Sequence, residues 1–312
     1  MTSRPDISII VVSYNTREMT LACLRSIGEQ TRDTPYELIV VDNDSSDGSA
    51  EAIAAELPDV QLIRLAQNIG FARANNLAAD RARGERLLLL NPDTVVIDRA
   101  IDRLVAFADA RPGAKIWGGR TLFGDRTLNP TSCWGRMTVW NLFCRATGLT
   151  ALFPRSEFFN SETYGDWQRD SVREVDIVTG CLLLIAKRLW DELDGFRSHY
   201  FMYGEEADLC LRASAKGASP ALTPEATIIH HGSASDSGSK AVSVAAARVT
   251  LIREHWAPVE RRLGIALSWA SALTHHVGYS LAAMVLSRPS IKAQADLHRE
   301  VWLERSRWLP GY

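Results

Sequence analysis

Two patterns of apolar positions alternate along the first hundred residues. Residues 7–13 form a β-branched run, whereas 16–30 place Met19, Leu21, Leu24 and Ile27 at helical spacing. The alternation continues with strands predicted at 36–41, 60–65 and 87–90. Helices are predicted at 49–57 (ended by Pro58), at 71–83 (ended near Gly84) and at 98–110. Repeated strand–helix units of this kind imply a mainly parallel central sheet flanked by helices.

The pattern blurs from 120 to 173, where Trp134, Trp140, Phe153, Phe158, Phe159, Tyr164 and Trp167 mix with Gly, Pro and Arg. A specificity region of loops and short helices is expected there. An ordinary aromatic satellite core is the competing reading. A strand is predicted at 175–186, running through Gly180, then a helix at 205–216 stopped by Gly217, and a last strand at 226–230. A flexible Gly/Ser segment is expected at 232–239, and a helical remainder after it. The expected organisation is a main domain over 1–235 and a helical C-terminal extension over 236–312.

Composition narrows the function. The 312 residues carry 46% hydrophobic and 23% charged side chains, an ordinary globular balance. A net charge of -2 argues against nucleic acid, whose phosphates call for a basic surface. Cys23, Cys133, Cys144, Cys181 and Cys210 are scattered and form no CxxC pair, so neither a zinc site nor a disulfide framework is expected. Asp6 interrupts the start of the chain, and no signal peptide is expected there. A cytoplasmic protein is the simplest reading. Residues 263–286 are weakly charged yet too polar for a spanning helix. Their apolar face, flanked by Arg261, Arg262, Arg288 and Lys292, is expected to meet the cytoplasmic face of the inner membrane, the catalytic domain or a second subunit.

Candidate chemistry gathers at the strand ends. Ser13-Tyr14-Asn15, Asp42-Asn43-Asp44, Gln67-Asn68 and Asn91-Pro92-Asp93 each follow a strand, so a parallel sheet sets them along one edge. Open α/β sheets bind ligands at that edge. Asn-Pro-Asp is also a common turn. As a site, Asp93 offers a lone carboxylate oxygen suited to Mg²⁺ or Mn²⁺, and such an ion suits a diphosphate. The chain contains no GxxxxGK[ST] cradle, and no GxGxxG follows the first strand.

Seven motifs in this order resemble the family-2 inverting glycosyltransferases of the GT-A fold, and among them the bacterial rhamnosyltransferase-like branch. They begin with Ser8 to Asn15, Val41 to Ser49, and Asn68-Ile69-Gly70-Phe71 running to Asn76. Leu89 to Thr94 and Thr179-Gly180-Cys181 follow, then Asp194-Gly195-Phe196 leading to Phe201 through Arg212, and finally His230-His231-Gly232. The resemblance covers roughly 5–235, and it implies a catalytic domain over 1–235 with a nucleotide-binding half (1–119) and an acceptor and catalytic half (120–235). It implies that Ser13, Tyr14, Asn15, Asp42, Asn68, Asn91 and Gly180 bind the nucleotide sugar, with Asp42 at the base and Asn91 at the ribose. Asp93 then holds a divalent cation, Mn or Mg, with His230 beside it and His231 as rival. The general base falls in the pair Glu205-Glu206, at Glu206, where the family carries an Asp. Glu205, Glu206 and Asp208 also read as acidic residues favouring a helix start, which would keep Glu206 ionised. Asp208 and Arg212 serve the acceptor or the frame of the site.

The implied reaction is inverting transfer of a sugar, rhamnose among the candidates, from a dTDP- or UDP-sugar to a hydroxyl of a glycan or polyprenyl-linked acceptor. Bacterial cell-surface polysaccharide synthesis is the implied setting. Two alternatives stay open. A sugar-nucleotide nucleotidyltransferase would share the sheet but calls for a glycine-rich basic loop where this chain has Ser13-Tyr14-Asn15-Thr16. A non-catalytic binding protein on the same fold is the other, prompted by Glu206.

Overall fold

The computed structural model describes residues 4–232, 238–286 and 288–312. The chain divides into two compact units. One comprises Met1–Trp134 with Gln168–Gly232, the other Gly135–Trp167 with Ser233–Tyr312.

The first unit opens with β1 (Ile7–Ser13), α1 (Arg17–Gln30), β2 (Tyr36–Asp42), α2 (Ser49–Glu56), β3 (Gln61–Arg64), α3 (Phe71–Ala79), β4 (Arg86–Leu90), β5 (Thr94–Val96) and α4 (Ala100–Ala110). Every residue of β1 is buried, as befits a strand with helices on both faces. β6 (Ile116–Leu122), β7 (Leu128–Asn129) and β8 (Cys133–Trp134) follow. After an excursion through α5 (Val139–Ala146) and α6 (Leu149–Leu152) in the second unit, the chain returns as β9 (Arg173–Glu174), β10 (Ile177–Val178), β11 (Leu182–Ala186), α7 (Lys187–Glu192), α8 (Glu205–Ala215) and β12 (Ala221–His230).

The main sheet has the order β3-β2-β1-β4-β11-β6-β12-β5. β3, β2, β1 and β4 run parallel, β11 lies antiparallel between β4 and β6, and β12 runs parallel to β6. The core beneath it joins Ile9, Val11, Leu24, Leu88, Leu104, Trp117, Leu184 and Ile228. Register decides where the site lies. Ser13 faces Asp42, Val11 faces Leu90, and Leu182 at the start of β11 also faces Leu90. His230 at the end of β12 faces Thr94. The C-terminal ends of β1, β2 and β4 and the start of β11 therefore share one edge.

The structure departs from the sequence reading in several places. The single strand expected over 175–186 is two strands, β10 and β11, broken at Thr179-Gly180-Cys181, and β10 pairs with β8 in a separate small sheet. The Thr179 hydroxyl donates to the carbonyls of Thr131 (2.8 Å) and Ser132 (3.2 Å), which turns the chain away from the ladder. α3 ends at Ala79, not Arg83, because Arg81 N–H turns back to Ala78 O and Ala82 N–H to Ala79 O. β5 and β6 were not expected, and β12 begins at Ala221, hidden by Pro224 and an irregularity in register between Thr223 and Thr227. The expected flexible segment at 232–239 falls largely on 233–237, outside the described residues.

In the second unit, α5 starts on a capping box in which Thr138 and Asn141 bond each other's backbone N–H groups. α9 (Gly238–His255), α10 (Pro258–Val285), α11 (Pro289–Leu303) and α12 (Arg305–Trp308) make up the rest. Trp308, 1% exposed, packs with Val242, Ala246 and Val249 of α9, and its indole donates to Val301 O. The Arg248 guanidinium grips the Glu162 carboxylate with two hydrogen bonds. Among the described residues, no helix is long and apolar enough to cross a membrane.

Candidate active site

The sheet edge carries three tied loops. After β1, Asn15 adopts φ +52°; its N–H donates to Ser45 Oγ (3.0 Å) and its Oδ1 accepts from Ser46 N (2.8 Å). After β2, Asn43 binds the third loop, donating to Asn68 Oδ1 (2.9 Å) while its own Oδ1 accepts from Ile69 N (3.0 Å). Asn68 Oδ1 also accepts from Gly70 N (2.9 Å). The Ser13 hydroxyl is buried against Thr20 (2.9 Å) and Thr16 (3.3 Å), where it fastens α1 to β1. Ser13, Asn15 and Asn68 thus shape the rim, while Tyr14 stands exposed on it.

Asp42 is 3% exposed. Its Oδ1 accepts from Ser45 N (3.0 Å), and its Oδ2 has no partner among the described residues. A buried carboxylate oxygen left unpaired costs free energy unless a ligand donor meets it. Asn43, which sequence reasoning passed over, is the residue that holds this loop to the next. The DND pattern signals a turn but not that cross-link.

After β4, Asn91 N–H donates to Cys181 O (3.4 Å), and Asn91 O accepts from the Thr94 hydroxyl (2.7 Å). Gly180 lies buried against the Phe71 ring. Asp93 is 9% exposed, with Oδ1 3.4 Å from His230 Nε2. Burial pushes the Asp93 carboxyl up, but His230 outweighs it and holds Asp93 below the usual carboxylate range. Burial pulls the His230 imidazole down, yet Asp93 and Cys181 raise it to about 10. His231 donates its backbone N–H to Asp93 O (3.0 Å), and its ring lies over Gly124. Of the two histidines, His230 is the one whose ring meets Asp93. The Asp93 carboxylate oxygen fits Mn²⁺ or Mg²⁺, and the adjacent His230 would add an imidazole nitrogen on giving up its proton to the cation.

The loop from Asp194 to Gly204 is clamped onto α3. Asn76 accepts from Phe196 N (2.9 Å) and donates to Phe196 O (2.7 Å), Arg73 donates to Ser198 O (3.0 Å), and Phe71 N–H donates to Phe201 O (2.8 Å). From below, Arg212 donates to Leu193 O and Gly195 O, both at 2.8 Å, and to Asp208 Oδ2 at 2.7 Å. Asp208 is fully buried and also meets Arg197 at 3.3 Å. Asp208 and Arg212 therefore act as frame.

This frame delivers Glu205 and Glu206 at the start of α8, behind Gly204 in a left-handed conformation. Glu205 is 4% exposed, and one carboxylate oxygen of each glutamate has no partner among the described residues. Burial, reinforced by Glu206, pushes Glu205 well above the usual carboxylate range, and burial raises Glu206 as well. Backbone N–H groups of Glu206 and Gly204 favour its ionised form, as the helix start implies, while desolvation acts more strongly in the other direction and sets the upward shift. Arg120, on β6, is a further residue that the sequence did not single out. Its buried Nε has no partner among the described residues.

The profile of glycosyl transferase family 2 matches residues 8–173. The O-antigen biosynthesis protein RfbC of Myxococcus xanthus is 28% identical over 240 residues, covering 74% of this chain and 18% of that protein. The uncharacterised protein y4gI of Sinorhizobium fredii is 29% identical over 250 residues, so the chain spans at most a quarter of the length of these two relatives (25% in y4gI). The N-acetylglucosaminyl-diphospho-decaprenol L-rhamnosyltransferase of Mycobacterium tuberculosis is 24% identical over 234 residues, covering 72% of this chain and 75% of that enzyme. Among solved structures, the mannosyltransferase PcManGT of Pyrobaculum calidifontis, in complex with GDP-Man and Mn²⁺, has a TM-score of 0.61 at 17% identity, over 99% of this chain and 88% of that one. TarS 1–349 of S. aureus in complex with UDP-GlcNAc has a TM-score of 0.53 at 16% identity, over 98% and 93%. These likenesses show the GT-A fold.

Proposed function

Because the chain belongs to glycosyl transferase family 2, we propose that it transfers a sugar from a nucleotide-diphosphate donor to an acceptor hydroxyl with inversion at the anomeric carbon. The observation that carries this reading is the shared edge. Asp42 Oδ2, without a partner among the described residues, the Asp93–His230 pair and the Thr179-Gly180-Cys181 break all sit at strand ends. Asp42 takes a donor hydrogen from the nucleotide base, and the Asn91 amide faces the ribose. Tyr14 lines the base side of the rim, and Gly180 leaves room for the sugar. Asp93 and His230 hold Mn or Mg. A divalent cation held there offsets the charge that grows on the departing diphosphate.

Glu206 accepts the proton of the acceptor hydroxyl as that oxygen bonds to the anomeric carbon, on the face opposite the diphosphate. The bond from that carbon to the diphosphate oxygen breaks, and the nucleoside diphosphate leaves. A carboxylate raised toward neutral pH is a stronger base than a free one, so the burial of Glu206 serves the step. Glu205 is the neighbouring acid and the alternative base.

The donor is proposed as a dTDP- or UDP-sugar, with rhamnose favoured by the mycobacterial relative, whose name also points to a polyprenyl-diphosphate-linked glycan as acceptor. Residues 1–119 are proposed as the nucleotide half, 120–235 as the catalytic half and 236–312 as a helical extension. The test is release of nucleoside diphosphate from a panel of dTDP-, UDP- and GDP-sugars with Mn²⁺, Mg²⁺ or chelator, in the presence of a glycan acceptor. Cation-dependent release from one donor supports the reading. Pyrophosphate-dependent turnover would place the chain among nucleotidyltransferases, and absence of donor binding would leave a non-catalytic role.

A further inference from the structure

α10 inverts the usual arrangement of a surface helix. Its solvent side normally carries charge, yet residues 263–287 contain no Asp, Glu, Lys or Arg. Val259, Leu263, Val277, Leu281 and Val285 are exposed, and their spacings of four and fourteen keep them along one side of the helix. Exposure is highest at the two ends, with Val259 at 79% and, at the C-terminal end, Leu281 at 58%, Met284 at 80% and Val285 at 81%. α5 packs on α10, and its Trp140 and Phe143, stacked at 5.7 Å, also stay exposed.

Charge decides what covers this face. Between Glu260 and Asp296 the sequence carries Arg261, Arg262, Arg288 and Lys292 and no acidic residue. A second copy paired along α10 would set these basic ends against basic ends. A layer of anionic headgroups neutralises the exposed Arg262, Arg288 and Lys292 while its acyl boundary takes the apolar stripe. The helix is about 42 Å long at 1.5 Å per residue, enough for a long contact lying in the plane of a membrane. We propose that the exposed face of α10, ending in Leu281, Met284 and Val285 beside Arg288 and Lys292, docks on an anionic lipid bilayer.

The test is flotation of the full chain with vesicles of phosphatidylglycerol mixed with phosphatidylcholine, against vesicles of phosphatidylcholine alone. Binding is expected to the mixed vesicles and to weaken as salt rises. Arg288→Ala with Lys292→Ala should weaken it roughly 25-fold, about fivefold per cation removed from the surface. Leu281→Ser with Val285→Ser should weaken it at least about tenfold. Both pairs are exposed, and unchanged thermal unfolding of each variant separates lost docking from lost fold. No binding of the full chain, equal binding to phosphatidylcholine alone, or unchanged binding by well-folded variants would overturn the proposal. So would a dimer in vesicle-free buffer that Leu281→Ser with Val285→Ser converts to monomer.

Discussion

Gly70→Ala tests the clamp that sets the loop ahead of Glu205 and Glu206. Gly70 has φ +85° and ψ 166°, a conformation open almost only to glycine and costing other residues about 1–3 kcal/mol. An added Cβ would also lie 2.5 Å from Phe201 O and 2.8 Å from Phe201 Cδ2, so backbone must move. Movement breaks the Phe71 N–H to Phe201 O bond (2.8 Å), a further loss of about 1 kcal/mol. The sum is roughly 2–4 kcal/mol. Urea unfolding reads the stability, and donor turnover reads the displaced loop. Gly28→Ala is the internal control: it lies within α1 with nothing inside 4 Å of its added Cβ, and should stabilise by about 0.5–1 kcal/mol. A Gly70→Ala protein within about 0.5 kcal/mol of the parent and equally active would refute the reasoning. So would a Gly28→Ala protein that loses as much.

Three further outcomes are expected. Asp42→Ala should weaken nucleotide binding by about 1–3 kcal/mol in calorimetry, the scale of a hydrogen bond to a charged group; unchanged affinity removes Asp42 from the base site. Asp93→Ala should erase the difference in nucleotide-diphosphate affinity between cation and chelator, and a surviving difference would place the cation elsewhere. Asp208→Asn should cost about 3–5 kcal/mol in unfolding, because Arg212 and Arg197 lose a fully buried countercharge; a loss below about 1 kcal/mol contradicts a framing role.

The first half of the fold was legible because β1, the second half of β2 and β4 are buried on both faces, and they write themselves as the apolar runs 9–12, 38–41 and 87–90. β6 was not, because Gly118 and Gly119 erase its pattern. Their places admit no side chain: a Cβ would lie 2.5 Å from Val178 Cγ1 and 2.1 Å from Ala226 O. Tertiary crowding chose those residues, and a single sequence does not display crowding. The run at 175–186 misled for the opposite reason, since side-chain bonds from Thr179 break a stretch that looks continuous. At the candidate site, the rim positions followed from strand ends alone. The ties of Asn43 and Asn76 did not, because their partners lie 25 and 120 residues away.

The central claim is that a buried glutamate at the start of α8 takes the acceptor proton, and the pH profile of Glu206→Gln tests it most directly. In the parent, kcat/KM should fall as pH drops through a pKa above the ordinary glutamate value, because burial raises Glu206 and only its ionised form accepts a proton. Glu206→Gln should lower turnover by about 10²–10⁴-fold, leave donor affinity nearly intact and remove that acid limb. A Glu206→Gln enzyme with the parent's rate and the parent's acid limb would contradict the account and move the base to Glu205.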